Sequence, residues 1–177
     1  VMRFLDFARP LALERTSADI RAVVDRALAA VKTQYSQAVV TVERAYAAAL
    51  PQVPIDESLC EQVFQNLALN AYEAMEPDGG SLRVEIAPAQ RDTGRGVEVT
   101  FRDSGPGIPP ELRQQIFNPF FTTKKDGVGL GLSVVSKIVD EHHGSLRVES
   151  QPGQGACFHV FLPVEAASEA GASASAH

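Results

Sequence analysis

The stretch Gly96-Val97-Glu98-Val99-Thr100-Phe101-Arg102-Asp103-Ser104-Gly105-Pro106-Gly107 carries the clearest structural signal in this chain. Val97, Val99 and Phe101 alternate with Glu98, Thr100 and Arg102, the period-two pattern of a strand that buries one face. The pattern stops at Asp103, where two glycines and a proline make a turn. A sheet with one apolar face needs a second layer, and the sequence on either side supplies helices. Just upstream, residues 81–87 read as another strand, after a turn over 77–80. Before that, Asp56 can cap a helix to about Met75, with Leu59, Val63, Leu67, Asn70 and Ala71 near one face. Earlier still, Thr16 or Ser17 can cap a helix to about Tyr35, striped by Ile20, Val23, Val24, Ala27, Leu28 and Val31. A strand over 39–46 and a short extended piece between Pro51 and Pro54 follow it. Downstream come a loop-rich section over 103–128, a helix over 130–143 ended by Gly144, and strands over 145–150 and 156–163. Helices accompany runs of hairpins rather than strict βαβ alternation. The expectation is an α+β fold: a two-layer α/β sandwich with helices on one face of a mixed, mostly antiparallel sheet.

The chain has 177 residues, enough for one domain with a real core. Twenty-two acidic against sixteen basic side chains leave −6, which argues against a general nucleic-acid binder. No run approaches the roughly 18 apolar residues of a membrane span, and the first ten residues do not resemble a signal peptide. Cys60 and Cys157 lie in apolar stretches and read as two core thiols. A cytoplasmic location without membrane contact is expected. The ends differ from the middle. Residues 164–177 are small and polar and read as a disordered tail. Met2, Phe4, Leu5 and Ala8 sit at helical spacing until Pro10, as the last turns of a longer helix.

Four clusters carry chemistry. Asn66 and Asn70 are four apart on the helix over 56–75, and with Glu73 they form a polar strip beside its apolar stripe. A neutral amide oxygen suits Mg²⁺ that arrives bound to phosphates. Asp103, at a strand end beside Gly105 and Gly107, can accept a hydrogen bond from an exocyclic amine while the glycines let a ligand come close. Phe117, Phe120 and Phe121 stand together in a loop beside Thr122, Thr123, Lys124 and Lys125, as a notch plug or the anchor of a flap. The basic pair can meet phosphate charge. Gly127, Gly129 and Gly131 open the third helix and offer free N–H groups to an anion. Taken singly, each cluster also fits a plainer role: an exposed asparagine pair, a tight turn, core aromatics, a helix start. The last is neither a Walker loop, having no Gly-Lys-Ser/Thr, nor a Rossmann fingerprint, having no strand just ahead.

In combination and in this order, the four clusters resemble the N box, first glycine box, F box and second glycine box of the catalytic and ATP-binding domain of sensor histidine kinases. Those domains belong to the wider Bergerat-fold group with gyrase and MutL. The likeness runs from about Leu13 to Pro163 and takes in the turn Gly153-Gln154-Gly155, while residues 4–10 resemble the end of a second dimerisation helix. The spacing from Thr123 to Gly127 resembles nitrogen-regulation and dicarboxylate-sensing kinases. The resemblance implies three regions: a dimerisation-helix remnant over 1–10, an ATP-binding catalytic domain over 11–163, and the tail.

It also implies roles. Asn70 would hold Mg²⁺ on the ATP phosphates with Asn66 in support, and Glu73 would add to the site. Asp103 would bond the adenine amino group, with Gly105, Gly107 and Ile108 beside the base. Phe120, Thr122, Thr123 and Lys124 would belong to an ATP lid, Lys124 nearest the γ-phosphate. Gly127, Val128, Gly129, Leu130, Gly131 and Leu132 would form its hinge and phosphate cradle. Asn66, Asn70 and Lys124 would be the catalytic set. Such a domain transfers the γ-phosphoryl group to a histidine on a dimerisation domain, for onward passage to a response regulator. The full-length protein would be a homodimer and this piece a monomer.

Departures sharpen the picture. Hydrolysing relatives place a glutamate base four residues before the metal asparagine, where this chain has Asn66, which favours kinase over ATPase. None of His142, His143, His159 and His177 matches the family's phosphoacceptor, so the chain is expected not to label itself. His142 and His143 end a helix, where positive charge suits the dipole. Two other readings within the fold are an anti-sigma-type serine kinase and a mechanical ATPase. The helix remnant over 4–10 speaks against the first and Asn66 against the second.

Overall fold

A computed structural model describes residues 11–118 and 131–164 of the chain. Seven strands and three α-helices follow in the order β1 (Thr16–Ala18), α1 (Ile20–Gln34), β2 (Val40–Tyr46), β3 (Val53–Ile55), α2 (Glu57–Ala74), β4 (Gly80–Arg91), β5 (Gly94–Asp103), α3 (Gly131–Glu141), β6 (Ser145–Ser150) and β7 (Ala156–Pro163). A 3-10 turn lies at Pro110–Leu112.

The main sheet has the order β2-β4-β5-β7-β6, and β1 pairs with β3 in a separate two-stranded ribbon. Only the β2–β4 pairing is parallel; the other three pairings of the main sheet are antiparallel. The two-layer α+β expectation therefore holds. Leu82, Val84 and Ile86 of β4, Val97, Val99 and Phe101 of β5, and Phe158, Val160 and Leu162 of β7 form one buried face. Against it lie Ile20, Val23, Val24, Ala27, Leu28 and Val31 of α1, the full stripe expected from the sequence. Val63, Phe64 and Leu67 of α2 and Val134, Val135 and Ile138 of α3 complete the layer. The Phe64 and Phe101 rings stack at 6.0 Å with 10° between planes, and this fixes α2 on β5. Among the described residues, the opposite face of the sheet is covered by side chains and by no helix. The Arg91 guanidinium lies 5.1 Å from the Phe161 ring centre, and His159 and Thr100 are buried beneath their neighbours.

Two local expectations need correction. Thr16 and Ser17 do not cap α1; they form β1, paired to Ile55 and Pro54, and the cap is Asp19, whose side chain accepts from Arg21 N. His142 is not a solvated cation at a helix end. It is buried, Nδ1 lies 2.8 Å from the Ile138 carbonyl, and Nε2 accepts from Asp56 N at 3.0 Å. Burial holds its imidazole below the usual histidine range, so the neutral ring is the favoured form. The N- and C-terminal regions over 1–10 and 165–177 lie outside the described residues. Val164, counted with the tail in the sequence reading, donates its N–H to the Arg95 carbonyl at 3.0 Å.

Candidate nucleotide site

The site is assembled on α2. Asp56 caps this helix by accepting from Leu59 N at 3.1 Å, and Cys60, Val63, Phe64, Leu67, Ala68, Ala71 and Tyr72 are buried. With that stripe turned to the core, Asn66, Asn70 and Glu73 stand half-buried along its border. Asn66 Nδ2 donates to the Gly131 carbonyl at 3.4 Å, joining α2 to the first residue of α3. The Tyr35 hydroxyl donates to Glu73 Oε1 at 3.1 Å, so one oxygen of this carboxylate is engaged by the end of α1.

Asp103 ends β5 with its side chain on the helix side of the sheet, buried. Its Oδ1 accepts from Gly105 N at 2.9 Å and from Ala156 N at 3.3 Å. Both bonds fall on one oxygen, which leaves Oδ2 for a further donor. Burial raises the carboxyl above its ordinary value, against the opposing pull of the two N–H groups.

The turn that follows has no room for side chains. A Cβ on Gly105 would lie 3.0 Å from Asp103 Oδ1 and 3.1 Å from the Ala74 carbonyl, at the end of α2. Gly107 has φ +82°, and a Cβ there would meet the Gln151 carbonyl at 2.4 Å. Ile108 N donates to Ser150 Oγ at 2.7 Å, and that hydroxyl donates to the Gly155 carbonyl at 2.8 Å. The turn between β6 and β7 thus braces the turn after β5.

Asn66, Asn70, Asp103, Gly105, Gly107, Ile108, Gly131 and Leu132 lie in this one region, on α2, the β5 turn and the start of α3. Phe120, Thr122, Thr123, Lys124, Gly127, Val128, Gly129 and Leu130 lie outside the described residues. Sequence reasoning missed Ser150, Ala156 and Tyr35, which hold the site from behind. The resemblance of residues 153–158 to a family turn and strand, which takes in Ala156 itself, was the available signal for the first two.

Both thiols are buried and unpaired, as expected. Burial pushes Cys60 up to about 12 and raises Cys157 as well, so neither is a ready nucleophile. Among the described residues no helix is long and apolar enough to cross a membrane.

Comparison with known proteins agrees with this geometry. The profile of the histidine kinase-, DNA gyrase B- and HSP90-like ATPases matches residues 55–166. The chain is 38% identical over 165 residues to the sensor histidine kinase ZraS of Klebsiella oxytoca, covering 93% of this chain and 35% of that protein. It is 34% identical over 164 residues to the signal transduction histidine-protein kinase AtoS of Escherichia coli K12, covering 93% of this chain and 26% of AtoS. It thus spans about a third or less of these relatives. The catalytic domain of the histidine kinase ThkA superposes with a TM-score of 0.72 at 31% identity, covering 85% of this chain and 96% of that one. Full-length ShkA in complex with AMPPNP superposes with a TM-score of 0.74 at 28% identity, covering 93% of this chain and 35% of that one. The chain belongs to this ATPase family and, within it, to the ATP-binding catalytic domains of sensor histidine kinases.

Proposed function

We propose that this domain binds Mg-ATP and hands the γ-phosphoryl group to a histidine on a dimerisation domain, from which a response-regulator aspartate receives it. The observation that carries the reading is Asp103. It is a buried carboxylate with one oxygen held by two backbone N–H groups and the other unspent, at the mouth of a glycine turn and beside the asparagine face of α2. Such an acceptor matches an adenine amino group. Gly105 and Gly107 keep the approach to it clear.

The residues present fit a magnesium-bound triphosphate. Asn70 offers an amide oxygen that no described residue engages, and it would be the protein's own ligand to the metal. The ion supplies charge neutralisation at the phosphates. Lys124 would add a cation there, and Phe120, Thr122, Thr123, Gly127, Val128, Gly129 and Leu130 would close over the nucleotide with Gly131 and Leu132. Glu73, already bonded to Tyr35, would act on the metal shell through its other oxygen. Asn66 is tied to Gly131 and carries no carboxylate, so it cannot take a proton from water; this favours transfer to a histidine over hydrolysis. The domain would be cytoplasmic and monomeric alone, and the full-length protein homodimeric.

Calorimetric titration with a non-hydrolysable ATP analogue and Mg²⁺ tests this. The wild type is expected to bind, and Asp103→Ala to lose at least about tenfold in affinity, the worth of a hydrogen bond to a charged group. Equal binding by both would overturn the adenine assignment. Added ATP is expected to label a dimerisation domain supplied in trans and to leave this chain unlabelled.

A further inference from the structure

A second concave site lies on the face of the sheet away from the helices. Arg102 on β5 points opposite to Phe101 and Asp103, and pairs in register with Cys157 on β7. Together with Arg113, Gln151 and Gln154 it lines a cleft of about 360 Å³, floored by Gly155 and Ala156. Every other arginine among the described residues is hydrogen-bonded or ion-paired: Arg15 to a carbonyl, most of the rest to carboxylates. Arg102 and Arg113 have no such partner among the described residues, and Arg113 Nε is buried with nothing to accept its proton. A buried guanidinium N–H without an acceptor is costly. In a chain of net charge −6, two unmatched guanidinium groups in one cleft are the exception among the described arginines. Glu149 also lines the cleft, but its carboxylate is bound to Arg147 and faces His159.

We propose that this cleft binds a small molecule bearing a phosphate monoester, gripped by Arg102 and Arg113. Guanidinium forks match phosphate oxygens in pairs, and two of them balance a group that carries nearly two negative charges at neutral pH. The Gln151 and Gln154 amides can donate to the same oxygens or hold the ester's remainder. The cleft volume suits a small ligand. It is distinct from the nucleotide site, which lies on the helix face, although Gly155 and Ala156 touch both: Ala156 N bonds Asp103, and a Cβ on Gly155 would lie 2.0 Å from the Asp103 carbonyl.

Inorganic phosphate is the probe, added at mildly alkaline pH to the full chain labelled with ¹⁵N, with and without a saturating ATP analogue. Amide shifts are expected at Arg102, Arg113 and residues 149–157 in both arms, and Arg102→Gln/Arg113→Gln should weaken them by about tenfold or more. The arm without nucleotide makes the result independent of whether the nucleotide site works. Unchanged affinity in the double variant, shifts confined to the surroundings of Asn70, or acetate binding as tightly as phosphate would each overturn the assignment. Unaltered melting of the variant confirms that its fold is intact.

Discussion

Asp103 illustrates how burial and function oppose each other in one side chain. The fold accepts a buried carboxylate whose charged form is disfavoured, with Oδ1 held by two backbone N–H groups and Oδ2 left as the acceptor for the proposed nucleotide contact. Asp103→Asn keeps an oxygen for Gly105 N and Ala156 N and removes the charge. Its melting temperature at neutral pH should equal or exceed that of the wild type, while nucleotide affinity falls by about tenfold or more; a lower melting temperature would show the charge to be stabilising. His142 gives a pH signature of its own. Its folded form holds a proton less tightly than the unfolded chain does, so its stabilisation is full above the ordinary value of 6.5 and is lost as pH falls below that. Thermal melts of wild type between about pH 7 and pH 5.5 should show falling stability. His142→Gln should start about 1–3 kcal/mol lower and show a flatter slope. Asp103 was legible in the sequence because it ends a strongly alternating strand. The role of His142 was not, because its partner Asp56 N lies 86 residues away in sequence and no local pattern encodes that meeting.

At the scale of elements, stripes and alternation were readable and short pairings were not. The α1 face follows from spacing alone, whereas on α2 the buried stripe takes in Val63, Leu67 and Ala71 as expected but turns toward Cys60, Phe64, Ala68 and Tyr72, leaving Leu59 and Asn70 at its border. The three-residue β1 has no alternation to read; it exists because β3 supplies a partner. β4 runs past Pro88, where the sequence suggested an end at residue 87. The reason lies in the ladder. β2 leaves β4 after the pair Tyr46–Ile86, so Pro88 pairs only with β5, opposite Val97, and its missing N–H costs nothing on the vacant side. The β6–β7 turn offers a sharp test of the bracing it gives to the site. Gly155 has φ +76°, and a methyl group there would collide with the Asp103 carbonyl. Gly155→Ala should weaken binding of the ATP analogue about as much as Asp103→Ala does, by displacing the Asp103 backbone and leaving its carboxylate chemically unchanged. Unimpaired binding in that variant would mean the turn is not a support.

At the scale of the whole molecule, α2 packs, among the described residues, against both other helices and against β5. The Phe64–Phe101 stack lies at that junction, and Phe64→Ala should cost about 3–5 kcal/mol, read as a shift in denaturant midpoint at unchanged slope. A change in slope instead would point to a loosened native state. The fold class was legible throughout because each layer repeats its own period, whereas the cleft around Arg113 depends on which arginines lack partners, a property of the assembled surface alone. The β1–β3 ribbon carries a last consequence. Glu14 N bonds Asp56 Oδ2, and Arg15 bonds the Glu141 carbonyl at the end of α3. The incoming chain is therefore stitched to the start of α2 and the finish of α3, at the ends remote from Asn70 and Gly131. A tug or twist arriving through residues 1–10 would be borne first at those stitches, and the two helices would act as stiff rods that carry it to their far tips.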